Sequence, residues 1–470
     1  MRVTVRNLGV LKEATIDLKP LTVFVGPNNS GKSWLSYTLT GVLGPYGYRE
    51  YVRDYSVKDV QGKYPFIDDA MQHLLDEGNA KIDLVQFAER YGEVYLNDLA
   101  LHAKHWMRKF MGTEKASFED LEIHLNLTDT KDYLREQILN FSLENNRSIG
   151  RGRRKPLLTA LKEEGKSELY VYTSSEENVS EKLPRRAIKE FLISGVFSIL
   201  HQSLYSYMYA FPVERTGLIP ASITKVSKAD QDVTQLDEIA QSPQKARSVP
   251  WYISSFIGMI VEMFESSQLD REEEAKDSEI IKHYTELAHI LEKQILNFDV
   301  DFSTREPEPG REIFFKTETG DVLDMAVVSS MVKELTPLVL YLHYSAEPGE
   351  LIVIDEPEMN LHPEAQAKII EFLAMLVNAG LPVLMTTHSP YIIDHLSNLI
   401  KAAEYEDEDQ IAIANKFFLK RKDAFISQDD VSVYLFKPPT VENILQEDGK
   451  INWSTFGDVT DQVASIHYDL

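Results

Sequence analysis

One stretch decides the fold, and it reads Gly26-Pro27-Asn28-Asn29-Ser30-Gly31-Lys32-Ser33. The apolar residues 21–25 before it predict a buried strand, and residues 34–39 after it predict the first turns of a helix. A strand, a glycine-bounded loop and a helix N-terminus together aim backbone N–H groups at a phosphate chain. In such a loop Lys32 would reach the β- and γ-phosphates, and the Ser33 hydroxyl would ligate Mg²⁺. The stretch therefore predicts a site for a nucleoside triphosphate such as ATP, bound with Mg²⁺.

The composition narrows the class of protein around this loop. The 470 residues, 43% of them hydrophobic, are enough for two or three structural units with substantial cores. The chain has no cysteine, which excludes disulfides and cysteine ligands and is typical of a reducing cytoplasm. The net charge of −25 argues against a surface coated with basic groups for nucleic acid. We expect a cytoplasmic protein with no signal peptide and no membrane association.

The pattern along the chain predicts an α/β fold whose nucleotide-binding core is interrupted by helical insertions. Between the core segments, long stretches have apolar residues at helical spacing. Residues 121–127 are an exception, because their apolar residues alternate as in a strand. The expected division is an N-terminal lobe with the loop at 1–45, a mostly helical insertion at 46–207, a return to the core at 208–228, a second helical insertion at 229–308, and a C-terminal lobe at 309–470.

Two further strands end in residues suited to ATP hydrolysis. Residues 351–354 are aliphatic and predict a strand buried on both faces, with Asp355 and Glu356 at its carboxyl end. Asp355 would hold Mg²⁺, and Glu356 would orient or deprotonate the attacking water. A second apolar strand, residues 381–387, leads to His388, which would contact the γ-phosphate. The alternatives are an ordinary acidic loop after a strand and a structural histidine.

The order of these motifs resembles the ABC-type ATPase heads of the RecF and SMC group. The segments 354–358 (IDEPE) and 360–363 (NLHP), the opening residues 7–33, and 212–215 (PVER) are more specific. They are similar to the ATPases of overcoming-lysogenization-defect (OLD) nucleases and of anti-phage systems such as Septu, Gabija and PARIS. The similarity covers residues 1–45, 208–220 and 310–440, and leaves the helical insertions unmatched. It implies an ABC-type ATPase head as the fold.

The resemblance also implies a signature serine that caps the γ-phosphate held by a second subunit. Ser329 and Ser330 stand at the right place, at a predicted helix start shortly before the Asp-Glu strand. Met331 replaces the glycine expected in the family, and an ordinary serine N-cap is the alternative interpretation. A working signature would require ATP to lie between two chains, so the resemblance implies a homo-oligomer. It places Glu214 and Arg215 near this region without assigning their role.

The remaining sequence bears on partners. About eighty residues follow His388, and their acidic residues lack the arrangement of a TOPRIM nuclease, so we expect no nuclease in this chain. A separate effector, a nuclease by analogy with the Septu-like and PARIS-like systems, is the implied partner. One basic cluster in the first insertion could contact DNA, RNA or an acidic protein, or could serve only solubility. Its members are Arg147, Arg151, Arg153, Arg154 and Lys155.

Three functions remain open from the sequence. The first is an anti-phage ATPase that assembles with ATP, turns over slowly and controls the effector. The second is a RecF-like repair or recombination ATPase, which would show ATP-dependent DNA binding that weakens steeply with salt. The third is an ATP-binding scaffold that does not hydrolyse ATP, which the residue at 331 favours.

Overall fold

The computed structural model describes residues 1–57, 62–127, 131–147, 157–173, 184–219, 249–265, 268–304, 311–452 and 465–466. The chain forms two compact units, each built from separate segments. The insertion unit comprises residues 1–6, 41–107 and 117–208, and the core unit comprises residues 7–40, 108–116 and 209–470. The loop and the other predicted site residues all belong to the core unit.

The strands and helices are numbered along the whole chain. The strands are β1 (Arg2–Leu8), β2 (Leu11–Asp17), β3 (Leu21–Val25), β4 (Asn79–Asp83), β5 (Glu122–Asn126), β6 (Leu143–Arg147), β7 (Leu158–Lys162), β8 (Glu168–Thr173), β9 (Met208–Phe211), β10 (Phe298–Thr304), β11 (Arg311–Thr317), β12 (Val322–Asp324), β13 (Leu351–Asp355), β14 (Val383–Thr387), β15 (Val431–Lys437) and β16 (Thr440–Asn443). The helices are α1 (Lys32–Leu43), α2 (Pro45–Val57), α3 (Pro65–Glu77), α4 (Leu84–Phe110), α5 (Lys131–Asn140), α6 (Arg185–Gln202), α7 (Trp251–Glu265), α8 (Gln268–Asp277), α9 (Glu279–Ile290), α10 (Ser330–Tyr344), α11 (Pro363–Asn378), α12 (Pro390–Ala403) and α13 (Asp407–Ala414).

The core unit is organised around a mixed sheet with the strand order β2-β16-β15-β3-β14-β13-β9. Its centre is parallel, because β15 and β14 both run parallel to β3, and β13 runs parallel to β14. The register pairs Val25 with Thr387 and Asp355 with Thr386, so these three strands end level with one another. Ligands of open α/β sheets bind at such carboxyl ends. The α/β class with a mixed sheet and a parallel core, predicted from the sequence, is confirmed.

The hydrophobic core of this unit explains why the central strands are almost entirely apolar. Strands β3, β13 and β14 are buried along their whole length, as expected for parallel strands covered on both faces. Helices α7 and α9 contribute Phe256, Met259 and Tyr284 to the same core as the sheet. Helix α9 continues without a break into a π-helix, Leu291–Leu296, that leads into β10. Segments distant in sequence are thereby fixed around one sheet.

The insertion unit is mostly helical, as predicted, but it also contains an antiparallel sheet with the order β4-β8-β7-β6. The strand predicted at residues 121–127 is confirmed as β5, which pairs antiparallel with the beginning of β1. The four-stranded sheet was not anticipated, because its strands are short and lie among helical patterns. Aromatic rings pack in the centre of this unit, with Phe197 stacked on Tyr95 at a centroid distance of 4.6 Å.

Two sequence predictions concern surfaces and membranes. Of the basic cluster, residues 151–155 lie outside the described residues, and the structure describes Arg147 only as the last residue of β6. Among the helices in the described part of the chain, none is both long and apolar enough to cross a membrane.

Candidate nucleotide-binding site

The loop between β3 and α1 is shaped by backbone conformations with positive φ. The angle is +60° at Asn29 and +96° at Gly31, and it is +150° at Gly26. A Cβ atom at Gly26 would lie 2.8 Å from the carbonyl oxygen of Phe436, so a larger residue would clash with backbone. Leu35 N donates to the Gly31 carbonyl at 3.0 Å, which begins the helix. The loop therefore turns into a helix N-terminus, where backbone N–H groups favour an anion.

Lys32 lies folded over this loop. Its Nζ donates to the carbonyl oxygens of Gly26 at 2.9 Å and Pro27 at 3.0 Å, and it lies 3.1 Å from His388 Nε2. The side chain is 5% exposed, and burial lowers the pKa of Lys32 to about 8, although Glu356 and neighbouring carboxylates act in the opposite direction. A phosphate group brought near Nζ would favour the charged form of this lysine.

Asp355 is held by hydroxyl groups on both carboxylate oxygens. Ser33 Oγ donates to Oδ1 at 3.0 Å, the Thr386 hydroxyl donates to the same oxygen, and the Tyr37 hydroxyl donates to Oδ2 at 2.8 Å. Ser33 and Tyr37 are four residues apart in α1 and so share one helix face. Burial raises the pKa of Tyr37 well above its usual value, which keeps the phenol protonated and able to donate. Tyr252 stacks on Tyr37 at 3.9 Å.

Glu356 follows directly and has an unusual backbone. Its φ is +49°, in a region that non-glycine residues rarely occupy and whose occupants cluster at active sites. The turn is fixed because Glu356 N donates to the carbonyl oxygen of Thr386 at 3.2 Å. The carboxylate Oε1 lies 2.9 Å from His388 Nε2, and this hydrogen bond lowers the pKa of Glu356. Both side chains remain about a quarter exposed and so face the cavity.

A second glutamate, Glu358, fixes the backbone position of His388 through hydrogen bonds. Its Oε1 accepts from the His388 backbone N–H and from the Thr387 hydroxyl, both at 2.7 Å. Glu358 is 9% exposed, and burial raises its pKa. The strand end that carries His388 is therefore tied to the segment that follows the Asp-Glu pair.

Arg215 holds the end of β13, which carries the acidic pair. Its guanidinium pairs with Glu334 at 2.8 Å and donates to the carbonyl oxygens of Asp355 at 2.7 Å and Glu356 at 3.1 Å. The Arg215 and Glu334 side chains are 2% and 0% exposed. Arg215 thus links the segment after β9, helix α10 and the turn that carries the acidic pair. Glu214, its neighbour in sequence, is exposed.

The signature-like serines lie at the exposed N-terminus of α10. Ser329 is its N-cap, and its Oγ accepts from Val332 N at 3.4 Å, so this hydroxyl serves the ordinary capping role. Ser330 is exposed and begins the helix. Met331 is partly buried and packs against the hydrophobic core. The helix end therefore remains open to an approaching group.

The arrangement fits a Mg²⁺-bound triphosphate in shape and chemistry. The cavity lined by residues 28–33, Glu356 and His388 has a volume of about 540 Å³. Val10 and Trp34 give the same cavity an apolar side. Ser30 Oγ is buried without a hydrogen-bond partner among the described residues. The Ser33 hydroxyl and the Asp355 carboxylate supply the oxygen ligands that Mg²⁺ prefers.

The structure brings the predicted residues of the loop together with Asp355, Glu356 and His388. Ser329 and Ser330 do not line this cavity. Sequence reasoning missed the residues that position the others: Tyr37, Tyr252, Thr386, Glu358 and the bracing role of Arg215. The only local signal for them was the polar character of residues in otherwise apolar segments, such as Tyr37 four positions after Ser33.

Comparison with known proteins identifies the family of the chain. The model of the family described as AAA ATPase domain matches residues 1–393. No curated protein matches the sequence at a significant level.

Among solved structures, similarity is found to heads of SMC proteins. The Pyrococcus furiosus Smc head domain bound to the C-terminal domain of ScpA is 12% identical, with a TM-score of 0.36 over 99% of this chain and 98% of that chain. The Thermotoga maritima SMC head domain is 10% identical, with a TM-score of 0.30 over 94% and 97% of the two chains. At these values the similarity carries no conclusion about activity or partners.

Proposed function

The chain belongs to the AAA ATPase domain family, and on that premise we propose that it binds and hydrolyses ATP between two copies of itself. We propose further that this cycle controls a separate effector, a nuclease, in anti-phage defence. The observation that carries the enzymatic part is that Lys32, Ser33 and Glu356 line one cavity at the carboxyl ends of parallel strands, with Asp355 hydrogen-bonded to Ser33. The defence role is supported by the motifs that resemble Septu-like and PARIS-like ATPases.

Each group has a chemical task in this proposal. Backbone N–H groups of the loop and the Lys32 ammonium would bind the phosphates, while Ser33 and Asp355 would hold Mg²⁺. The metal would neutralise charge that develops on the phosphate oxygens. Glu356 has a lowered pKa and is therefore ionised, as a residue that accepts a proton from water or orients it must be. His388 contacts both Lys32 and Glu356, so it is placed to sense the γ-phosphate.

The packing of Met331 weakens the case for a purely ATP-binding scaffold, which rested on this residue. Its side chain lies against the core and leaves the N-terminus of α10 exposed, so the substitution of glycine does not cover the helix end. A scaffold would bind ATP stably and release no phosphate. A repair ATPase would instead bind DNA in an ATP-dependent manner that weakens steeply with salt.

The decisive experiment compares Glu356→Gln with the wild-type chain. Loss of the carboxylate should lower phosphate release by at least about 100-fold and leave ATP bound in a larger species. Phosphate release and mass by light scattering would be measured with Mg²⁺ and ATP. Lys32→Ala should abolish nucleotide binding, and the exposed control Glu442→Gln should behave as the wild type. Release at the wild-type rate by Glu356→Gln would refute the role of this carboxylate.

The defence part is tested separately. The wild-type chain and Glu356→Gln would each be isolated from the native host, and the proteins that accompany them identified. We expect one nuclease to be retained, and retained more strongly by the ATP-trapped variant. Association with a repair protein and DNA instead would favour the RecF-like function, while leaving the hydrolytic site intact.

A further inference from the structure

A second cluster of chemically versatile side chains lies in the core unit. His289 stands at the end of α9, Glu292 in the π-helix that follows, and His343 in the last turn of α10. Glu292 Oε2 lies 2.9 Å from His289 Nδ1 and 3.3 Å from His343 Nε2. The three potential ligand atoms all lie within 4.8 Å of one another.

The backbone around Glu292 forms a π-helix, and this residue is where the two histidines meet. The π-helix Leu291–Leu296 continues α9, and π-turns within α-helices are frequent at functional sites. Glu292 is 2% exposed, and its second oxygen, Oε1, accepts from Val300 N at 2.8 Å. The carboxylate is therefore fixed by the backbone, with Oε2 turned to the two histidines.

The three side chains of the cluster differ in their exposure to solvent. The His343 side chain is 12% exposed and that of His289 is 60% exposed. All three residues line a cavity of about 270 Å³, which Arg271, Asp299 and Asp301 also line. Solvent and small ions can therefore reach the ligand atoms from one side, while Glu292 is held from the other.

We propose that His289, Glu292 and His343 bind one divalent transition-metal ion of the zinc class, with a water molecule from the cavity as the fourth ligand. Two imidazole nitrogens and one carboxylate oxygen form a typical ligand set of three protein groups for zinc. In a tetrahedral site with bonds of about 2.0–2.1 Å, ligand atoms lie about 3.3 Å apart. The distances of 2.9 Å and 3.3 Å are already close to that spacing.

The ligand atoms also determine which metal ions the site prefers. Imidazole nitrogen suits Zn²⁺, Co²⁺ and Ni²⁺, whereas Mg²⁺ prefers oxygen ligands, so this site differs in class from the one at Asp355. The ion would join the end of α9 to the last turn of α10. The opposite end of α10 carries Ser329 and Ser330, so metal binding would stabilise the helix that presents them.

The test measures metal binding to the full chain without a histidine tag and without nucleotide, because triphosphates bind zinc themselves. After dialysis against a chelator, ZnCl₂ would be added in a calorimeter, and Co²⁺ would be added separately to record its visible d–d absorption. We expect one ion per chain and the intense absorption of four-coordinate Co²⁺. His289→Ala and His343→Ala should each weaken zinc binding by about 100-fold or more, since loss of even a supporting group costs 10–100-fold.

The chain offers a matched control on the same helix. His283 lies on α9, is 42% exposed and pairs only weakly with Glu286, at 3.5 Å, so His283→Ala should bind zinc as the wild type does. His289→Ala removes an exposed side chain and should fold, which circular dichroism would verify. Absence of zinc binding by the wild type, or equal binding by the wild type and all three variants, would overturn the proposal. Either result is independent of ATP hydrolysis.

Discussion

At the residue scale, the lysine and the two carboxylates of the site each have their own hydrogen-bond partners. Lys32 donates to two carbonyls of its own loop, and Asp355 accepts from three hydroxyl groups. Glu356 keeps its charge through His388, although it sits on a strained backbone. Each charge therefore has a defined partner, and binding of a triphosphate must exchange some of these partners for phosphate oxygens.

Lys32 provides a pH-dependent prediction. Its pKa is lowered to about 8 by burial, and a bound triphosphate would raise it again, so nucleotide binding should take up a proton above that pH. We expect uptake of about 0.5 proton per site near pH 8 and about 0.9 near pH 9, with affinity falling as pH rises. Calorimetry in two buffers with different ionisation enthalpies measures this uptake. The exposed control Lys437→Ala should show the same uptake, and its absence in the wild type at the higher pH would contradict the assignment.

The buried pair of Arg215 and Glu334 provides a prediction about stability. Arg215→Met would leave the Glu334 carboxylate buried without its cation, which should lower the free energy of unfolding by about 3–5 kcal/mol. Chemical denaturation of the full chain measures the change. Arg421→Met, which breaks a pair with Asp423 whose side chains are more than a third exposed, should cost about 1 kcal/mol or less.

A double variant distinguishes the ion pair from the backbone bonds of Arg215. Arg215→Met combined with Glu334→Leu removes both charges, so it should recover most of the lost stability. It should not recover phosphate release, because the carbonyl oxygens of Asp355 and Glu356 still lack their donor. A double variant as unstable as the single one would assign the loss to those backbone bonds.

At the element scale, the sequence predicted the features that lie within one continuous segment. It did not predict the strand order or the contacts between distant segments. The loop and the Asp-Glu strand are continuous patterns, and they lie where the patterns indicated. The sequence order did not reveal that β14 lies between β3 and β13, which puts His388 between the loop and the acidic pair. The contacts of Tyr37 and Arg215 also escaped prediction, because each joins residues more than a hundred positions apart.

Helix α1 supplies the prediction that belongs to this scale. It presents Ser33 and Tyr37 on one face toward Asp355, so Tyr37→Phe removes one hydrogen bond from a carboxylate that is 2% exposed. We expect a loss of about 1–3 kcal/mol in stability, because the bond is made to a buried charged group. The concentration of Mg²⁺ needed for half-maximal phosphate release should also change. Denaturation and a Mg²⁺ titration measure the two effects. Tyr391→Phe, at an exposed residue, should change neither, and an unchanged Tyr37→Phe would contradict the proposed support.

At the scale of the whole molecule, the question is whether one chain contains a complete site. The cavity at the loop is lined by Lys32, Ser33 and Glu356, and Asp355 is hydrogen-bonded to Ser33, whereas Ser329 and Ser330 lie outside its lining. Both serines are exposed at the start of α10. If they act on ATP, the proposed function requires that they act on the ATP held by another copy.

Mixing two inactive variants tests this requirement. Lys32→Ala disables the loop of its own chain, and Ser330→Arg disables the helix end that its chain would offer to a partner. In a mixed dimer one of the two sites combines an intact loop with an intact helix end. Equal mixing should therefore restore about a quarter of the wild-type rate of phosphate release, since half of the dimers are mixed and each has one working site.

A mixture of Lys32→Ala with Glu356→Gln is the matched control, because both changes affect the loop side and every site remains defective. Recovery in the first mixture alone would show that the site is shared between chains, and no recovery in either would refute the role of Ser330 in a partner's site.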